Sequence, residues 1–107
     1  MEGSARAESA SRADSSLRAE TSGLRAAQKA LRDGDSARAL ELLGAEASRY
    51  PQGALVQERA AAQVLALCQS GNASAARDGA RDFEARYPTS PLLGRVKTAC
   101  AERRVAP

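Results

Sequence analysis

One segment of this chain occurs twice. Residues 31–55, LRDGDSARALELLGAEASRYPQGAL, align with residues 68–92, CQSGNASAARDGARDFEARYPTSPL, at an offset of 37 residues. Six of the 25 positions are identical: Gly34/Gly71, Ala39/Ala76, Arg49/Arg86, Tyr50/Tyr87, Pro51/Pro88 and Leu55/Leu92. Asp35 is answered by Asn72, a chemically similar exchange. Repeats of about 34–47 residues are characteristic of helix pairs that bury their apolar faces only by stacking on one another.

Each match has a physical reading. Gly34 and Gly71 suit the left-handed backbone that ends a helix. Asp35 and Asn72 follow as N-caps, their side-chain oxygens taking free N–H groups of the next helix. Ala39 and Ala76 are small where two helices cross. Tyr50-Pro51 and Tyr87-Pro88 end the second helix of each unit, because Pro disfavours helix in the residue before it. Ser90-Pro91 opens the last helix as N-cap and first helical residue, with Gly53 at the equivalent place in the first unit.

Five helices are predicted, over about 17–33, 35–49, 54–70, 72–86 and 91–104. Apolar spacing supports each. Leu17, Leu24, Ala27 and Leu31 share a face of the first. Ala39, Leu40, Leu42 and Leu43 do so on the second. Leu55, Val56, Ala60, Val64, Leu65, Leu67 and Cys68 nearly surround the third, which marks it as central. Ala76, Ala80, Phe83 and Tyr87 run along the fourth; Leu92, Leu93, Val96, Ala99 and Cys100 face inward from the last. Composition agrees: 25 alanines and 14 arginines favour helix, Ile is absent and Val and Thr are few. Residues 1–16 (MEGSARAESASRADSS) read as a flexible tail or linker that partly extends the first helix, leaving 17–107 as the repeat domain.

The Gly34/Gly71 turn, the Ala39/Ala76 crossing position and the Tyr-Pro ending resemble the tetratricopeptide (TPR) repeat. They are most similar to the longer repeats of bacterial envelope proteins such as outer-membrane assembly lipoproteins and the Tol-Pal-associated periplasmic coordinator. The tryptophan and tyrosine positions of the family's first helix are not aromatic here, and the large apolar slot held by Leu43 is Ala80 in the second unit, where Phe83 compensates. The resemblance implies an all-α, TPR-like α-solenoid of antiparallel helix pairs with two and a half repeats, the last helix capping the stack. It also implies a protein–protein interaction module, placed in the periplasm or envelope if the domain belongs to a longer anchored protein. Residues 1–16 show no apolar core or lipidation cysteine of a secretion signal, which points instead to the cytoplasm or to a piece of a longer chain.

The sequence argues against several chemistries. There is no His, no Gly-rich phosphate loop and no run of 20 apolar residues, so triads, most zinc sites, nucleotide cradles and membrane spans are not expected. Asp33/Asp35 and Asp78/Asp82 read as caps or solvated charges rather than catalytic pairs. No enzymatic activity and no cofactor are expected. Three aromatics and a net charge of +3 with both signs interspersed make nucleic-acid binding the weakest reading. Cys68 and Cys100 match no metal spacing; the simplest reading is two small buried apolar residues, the other a disulfide between neighbouring helices, which implies an oxidising compartment.

What remains is a surface for a protein or peptide. Arg18, Arg25, Lys29 and Arg32 form a basic stripe on the first helix, either a solvated face or a contact for an anionic partner. In a TPR-like stack the first helices of each pair line the concave side. There Arg25, Lys29 and Arg32 would join Gln57 and Gln63, and Arg95 and Lys97 on the last helix would complete a groove for an acidic or extended peptide. The outward face of the last helix offers Arg95, Glu102 and Arg103. The chain is expected to be a monomer or weak homo-oligomer; the second reading is a structural domain that self-associates through its repeats.

Overall fold

The repeat reappears as pairs of backbone hydrogen bonds 37 residues apart. In the computed structural model, which describes the backbone of residues 2–105 and the side-chain burial of residues 12–101, Asp35 N bonds Ala30 O and Gly34 N bonds Leu31 O. Asn72 N bonds Leu67 O and Gly71 N bonds Cys68 O in the same way. These are two copies of the Schellman closure, in which a left-handed residue lets the chain satisfy the last helical carbonyls. Gly34 and Gly71 adopt φ of 80° and 85° and are the positive-φ glycines of the described chain. Asp35 then accepts from Arg38 N at 3.0 Å and Asn72 from Ala75 N at 3.2 Å. At the far end of each unit, Tyr50 and Tyr87 stop the helix with nearly identical backbone angles.

The described residues form five helices and no strand: α1 (Glu2–Arg32), α2 (Ser36–Arg49), α3 (Val56–Gln69), α4 (Ala73–Arg86) and α5 (Leu93–Val105). Their bounds fall within about two residues of the spacing-based expectation at every end except the start of α1. That helix begins at Glu2 rather than near residue 17, because the Ala, Arg, Glu and Ser of the early chain contain no Pro and only one Gly to interrupt it. Leu17, expected on the apolar face, is 43% exposed and belongs to neither apolar cluster. None of these helices is long and apolar enough to cross a membrane.

α3 is the centre, as its apolar circumference implied: it packs against each of the other four helices. α1 also packs on α2, and α4 on α5. Two apolar clusters follow the units. The first joins Leu24, Ala27 and Ala30 of α1 to Ala39 and Leu43 of α2 and Ala62 and Ala66 of α3. The second joins Ala61, Val64 and Cys68 of α3 to Ala76 and Phe83 of α4 and Val96 and Ala99 of α5. Leu43 is fully buried, and Phe83, at 2% exposure, is buried in the second cluster, with Ala80 packed against it. Its ring meets Tyr87 edge-on at a centroid distance of 5.1 Å.

Cys68 and Cys100 are not two separate apolar residues. They form a disulfide that joins α3 to α5 across a sequence separation of 32. The helical periodicity placed both on inward faces; it could not show that the two faces meet with Cα atoms 5.0 Å apart.

The first unit also holds a feature without counterpart in the second. Glu20, Glu46 and Arg59 are buried, with exposures of 4%, 7% and 7%. Glu20 reaches from α1 to the start of α3, where its carboxylate accepts Ala54 N at 3.1 Å and Leu55 N at 3.0 Å. Arg59 Nη1 lies 3.6 Å from Glu20 Oε2. Leu55, the N-cap of α3, offers no side-chain cap of its own, so a residue 35 positions earlier supplies the acceptor. Gly53 and Gly23 make the room: a Cβ at Gly53 would strike the Glu20 carboxylate and one at Gly23 the Glu46 carboxylate. Thirty-seven residues on, the solution is local. Pro91 replaces Ala54 and has no N–H to satisfy, and Ser90 Oγ accepts Leu92 N at 3.1 Å. Gln57, Phe83 and Val96 stand where the first unit has Glu20, Glu46 and Arg59.

Candidate functional site

A groove of about 520 Å³ opens between α1, α3 and α5. Each helix contributes residues at i, i+3 or i+4 spacing, which places them on one face. α1 supplies Gln28, Leu31 and Arg32; α3 supplies Glu58, Ala61, Ala62 and Leu65; α5 supplies Arg95 and Val96, with Leu92 in the turn just before it. The floor is apolar because α3 shows alanines and one leucine there. Arg32 and Arg95, both exposed, come from the two flanking helices. Gln69 ties α3 to the α1 side by donating from Nε2 to Leu31 O at 2.9 Å, a second bond to the carbonyl that also accepts Gly34 N.

Of the seven residues expected to line a groove, Arg32 and Arg95 come together here. Arg25 and Lys29 are exposed but do not line the groove, and Lys29 pairs with Asp33 at 2.6 Å. Gln57 lies half-buried in the first turn of α3, outside it. Gln63 is exposed on the other side of α3, in a cleft with Gly79 and Asp82 of α4. Lys97 points to α4, where it lies 3.6 Å from Glu84.

Register explains the scatter. Arg18, Arg25 and Lys29 precede Leu55, Ala62 and Ala66 by 37 residues. On α3 those positions pack into or against the cluster shared with α1 and α2; on α1 they are exposed and charged. The stripe lies on a face of α1 that is exposed in this structure. Lys97 is likewise exposed where α3, 37 residues earlier, carries the partly buried Ala60. Of the expected outward residues of α5, Arg95 borders the groove, while the side chains of Glu102 and Arg103 lie outside the described residues.

The groove residues missed from the sequence are Gln28, Leu31, Glu58, Ala61, Ala62, Leu65, Leu92 and Val96. Their i, i+3, i+4 spacing was available, but the apolar ones were assigned to the core and charge was taken as the mark of the surface. Among the carboxylates, Asp35 caps α2, Asp33 pairs with Lys29, and Asp82 lies 3.4 Å from Arg86. Among the described residues no group of three or more Cys, Asp or Glu side chains is placed to hold a metal ion. Comparison with protein-family models, curated proteins and solved structures gave no match to this chain.

Proposed function

We propose that this protein is a TPR-like module that holds a peptide segment of a partner protein in the groove between α1, α3 and α5 and performs no catalysis. The observation that carries this reading is the groove itself: three alternate helices expose an apolar floor between Arg32 and Arg95. Floor and rim differ as a peptide-binding surface requires, with apolar area for affinity and separated charges for orientation. The solenoid arrangement is part of the proposal. The recurring caps, three-residue turns at 33–35 and 70–72, and neighbour contacts in which α1–α2 is repeated by α3–α4 and α2–α3 by α4–α5 support antiparallel pairs in a TPR-like stack. The Cys68–Cys100 bond favours an oxidising compartment, such as the bacterial periplasm or envelope.

The test is selection of a displayed random-peptide library on the whole chain. Selected peptides should perturb the NMR resonances of Leu31, Leu65 and Val96. They should lose at least tenfold in affinity for the folded Arg32→Glu/Arg95→Glu variant. Binders that map elsewhere, or are indifferent to that variant, would remove the reading.

A further inference from the structure

The Cys68–Cys100 bond is shielded on one side and open on the other. Cys68 is buried at 9% exposure. Cys100 is half-buried and lines a cleft of about 260 Å³ between α4 and α5 that Cys68 does not reach. Ala73, Ala76 and Ala80 line the α4 side, where small side chains leave room. Arg77 and Lys97, both exposed, also line the cleft, and among the described residues no carboxylate does. Lys97 lies 3.6 Å from Glu84 in an exposed pair; no ion pair among the described residues includes Arg77. A thiolate approaching Cys100 therefore meets positive charge, which favours an anion there.

The apolar hold on α5 is thin. Among its described side chains, Val96 and Ala99 are the buried ones. Its ion pair to α4 is exposed and contributes little. With 13 residues it has about the length at which an isolated helix is marginal in water. The disulfide spans a separation of 32 residues and keeps α5 against α3. Val96 lines both the α4–α5 cleft and the groove between α1, α3 and α5. Cleft and groove thus share one helix, and the position of α5 decides both.

We propose that Cys100 is a thiol-exchange site and that its bond to Cys68 is a reducible latch on the groove. A dithiol entering the α4–α5 cleft opens the bond, frees α5 and removes Arg95 and Val96 from the groove wall. Its first thiolate attacks Cys100 Sγ to form a mixed disulfide; the Cys68 sulfur leaves with the bonding electron pair and takes a proton. The second thiol loses its proton and attacks the reductant's own sulfur in that mixed disulfide. Cys100 leaves as a thiolate that Arg77 and Lys97 stabilise until it is protonated. Two electrons and two protons pass from the dithiol, which closes to its own disulfide, to the protein, which then holds two thiols. Only the effect on peptide capture rests on the groove reading above; thiol exchange and release of α5 do not.

The experiment uses the whole oxidised chain. After brief treatment with reduced glutathione and quenching with excess iodoacetamide, tryptic mass mapping should find glutathione on Cys100 and not on Cys68. Dihydrolipoate should reduce the bond about fivefold faster than uncharged dihydrolipoamide at low ionic strength. Arg77→Glu/Lys97→Glu should reverse that order with the helical circular dichroism unchanged. Reduction should speed amide exchange over residues 95–101 by about a hundredfold while residues 24–31 of α1 keep their protection. Peptides selected from the displayed library on the oxidised chain should bind the reduced chain about tenfold more weakly. Glutathione on Cys68, or reduction rates indifferent to Arg77→Glu/Lys97→Glu, overturns the exchange site. Unchanged exchange over 95–101, or loss of the whole helical signal on reduction, overturns the latch. If the selected peptides bind both forms equally, the groove stands and its control by the bond falls. If none maps to the groove, the groove reading falls, and mass spectrometry and amide exchange still decide the exchange site and the release of α5.

Discussion

Glu20→Ala should damage this protein more than any single change on its surface. The carboxylate removed is 4% exposed and accepts two backbone N–H groups at the start of α3. Hydrogen bonds to a charged group contribute roughly 1.5–3 kcal/mol each. The change also leaves the Arg59 guanidinium, 3.6 Å away and equally shielded, without its counter-charge. Breaking a buried pair in this way costs about 3–5 kcal/mol, which already contains part of the hydrogen-bond loss. For a domain whose whole stability is about 5–15 kcal/mol, that is a large share. The midpoint of thermal unfolding should fall by roughly 15–30 °C. Urea unfolding followed by circular dichroism at 222 nm measures the loss directly. Glu20→Gln keeps one acceptor oxygen and should lose about half as much. A loss below about 1 kcal/mol for Glu20→Ala would show that water replaces the carboxylate at Ala54 and Leu55 and that the cluster is not sealed.

Four further outcomes follow from the same geometry. Copying the second unit onto the first with Glu20→Gln/Glu46→Phe/Arg59→Val should restore most of what Glu20→Ala removes, because it removes the buried Glu20–Arg59 pair and the buried Glu46 carboxylate together and leaves no uncompensated charge; a triple variant less stable than Glu20→Ala in the same urea titration would contradict this. Removing the Cys68–Cys100 bond with Cys68→Ser/Cys100→Ser should cost about 3–4 kcal/mol by releasing a loop of 32 residues in the unfolded chain, read from melts with and without reductant. Gly34→Ala and Gly71→Ala should each lose roughly 1 kcal/mol, since both need positive φ, whereas Gly44→Ala, helical with open space around it, should gain about 0.5–1 kcal/mol; calorimetry of the three variants separates the signs. Phe83→Ala should cost about 3–5 kcal/mol and lower the near-ultraviolet signal of Tyr87, whose ring it touches.

Most of the fold was legible because its signals are local. A glycine before Asp35 or Asn72 requires only its own turn to be understood, and both turns close as the residues imply. The central place of α3 followed from apolar residues on most of its circumference. The groove was half legible: Arg32 and Arg95 were selected for their charge, and the apolar residues between them are indistinguishable in sequence from core. Glu58 looks like an ordinary first-turn acid favoured at a helix N-terminus.

The cluster of Glu20, Glu46 and Arg59 was illegible for a stronger reason. Each residue, taken alone, sits in a helix rich in charge, and the three are 13–39 positions apart. Yet the repeat offered an indirect sign. At the offset of 37 the three charged positions become Gln57, Phe83 and Val96, and Gly53-Ala54 becomes Ser90-Pro91. A set of positions that changes together between two copies of one unit marks a single interaction solved in two ways. The first unit must begin α3 with two free N–H groups and satisfies them from α1. The second leads into α5 through Ser90-Pro91, where Pro91 has no N–H and Ser90 Oγ accepts Leu92 N, and it places Phe83 and Val96 in the corresponding interior. The second α3–α5 junction lacks the long-range tie that Glu20 gives the first, and there the disulfide stands instead: Cys68 follows Leu31, and Cys100 follows Gln63, by 37 residues. Two neighbouring junctions of one array are thus held by different means, an ionic latch at α1–α3 and a covalent bond at α3–α5. Reductant should therefore loosen the α5 side of the groove, bearing Leu92 and Arg95, while the α1 side, bearing Leu31 and Arg32, stays in place; amide hydrogen exchange that accelerates equally on both sides would refute that division.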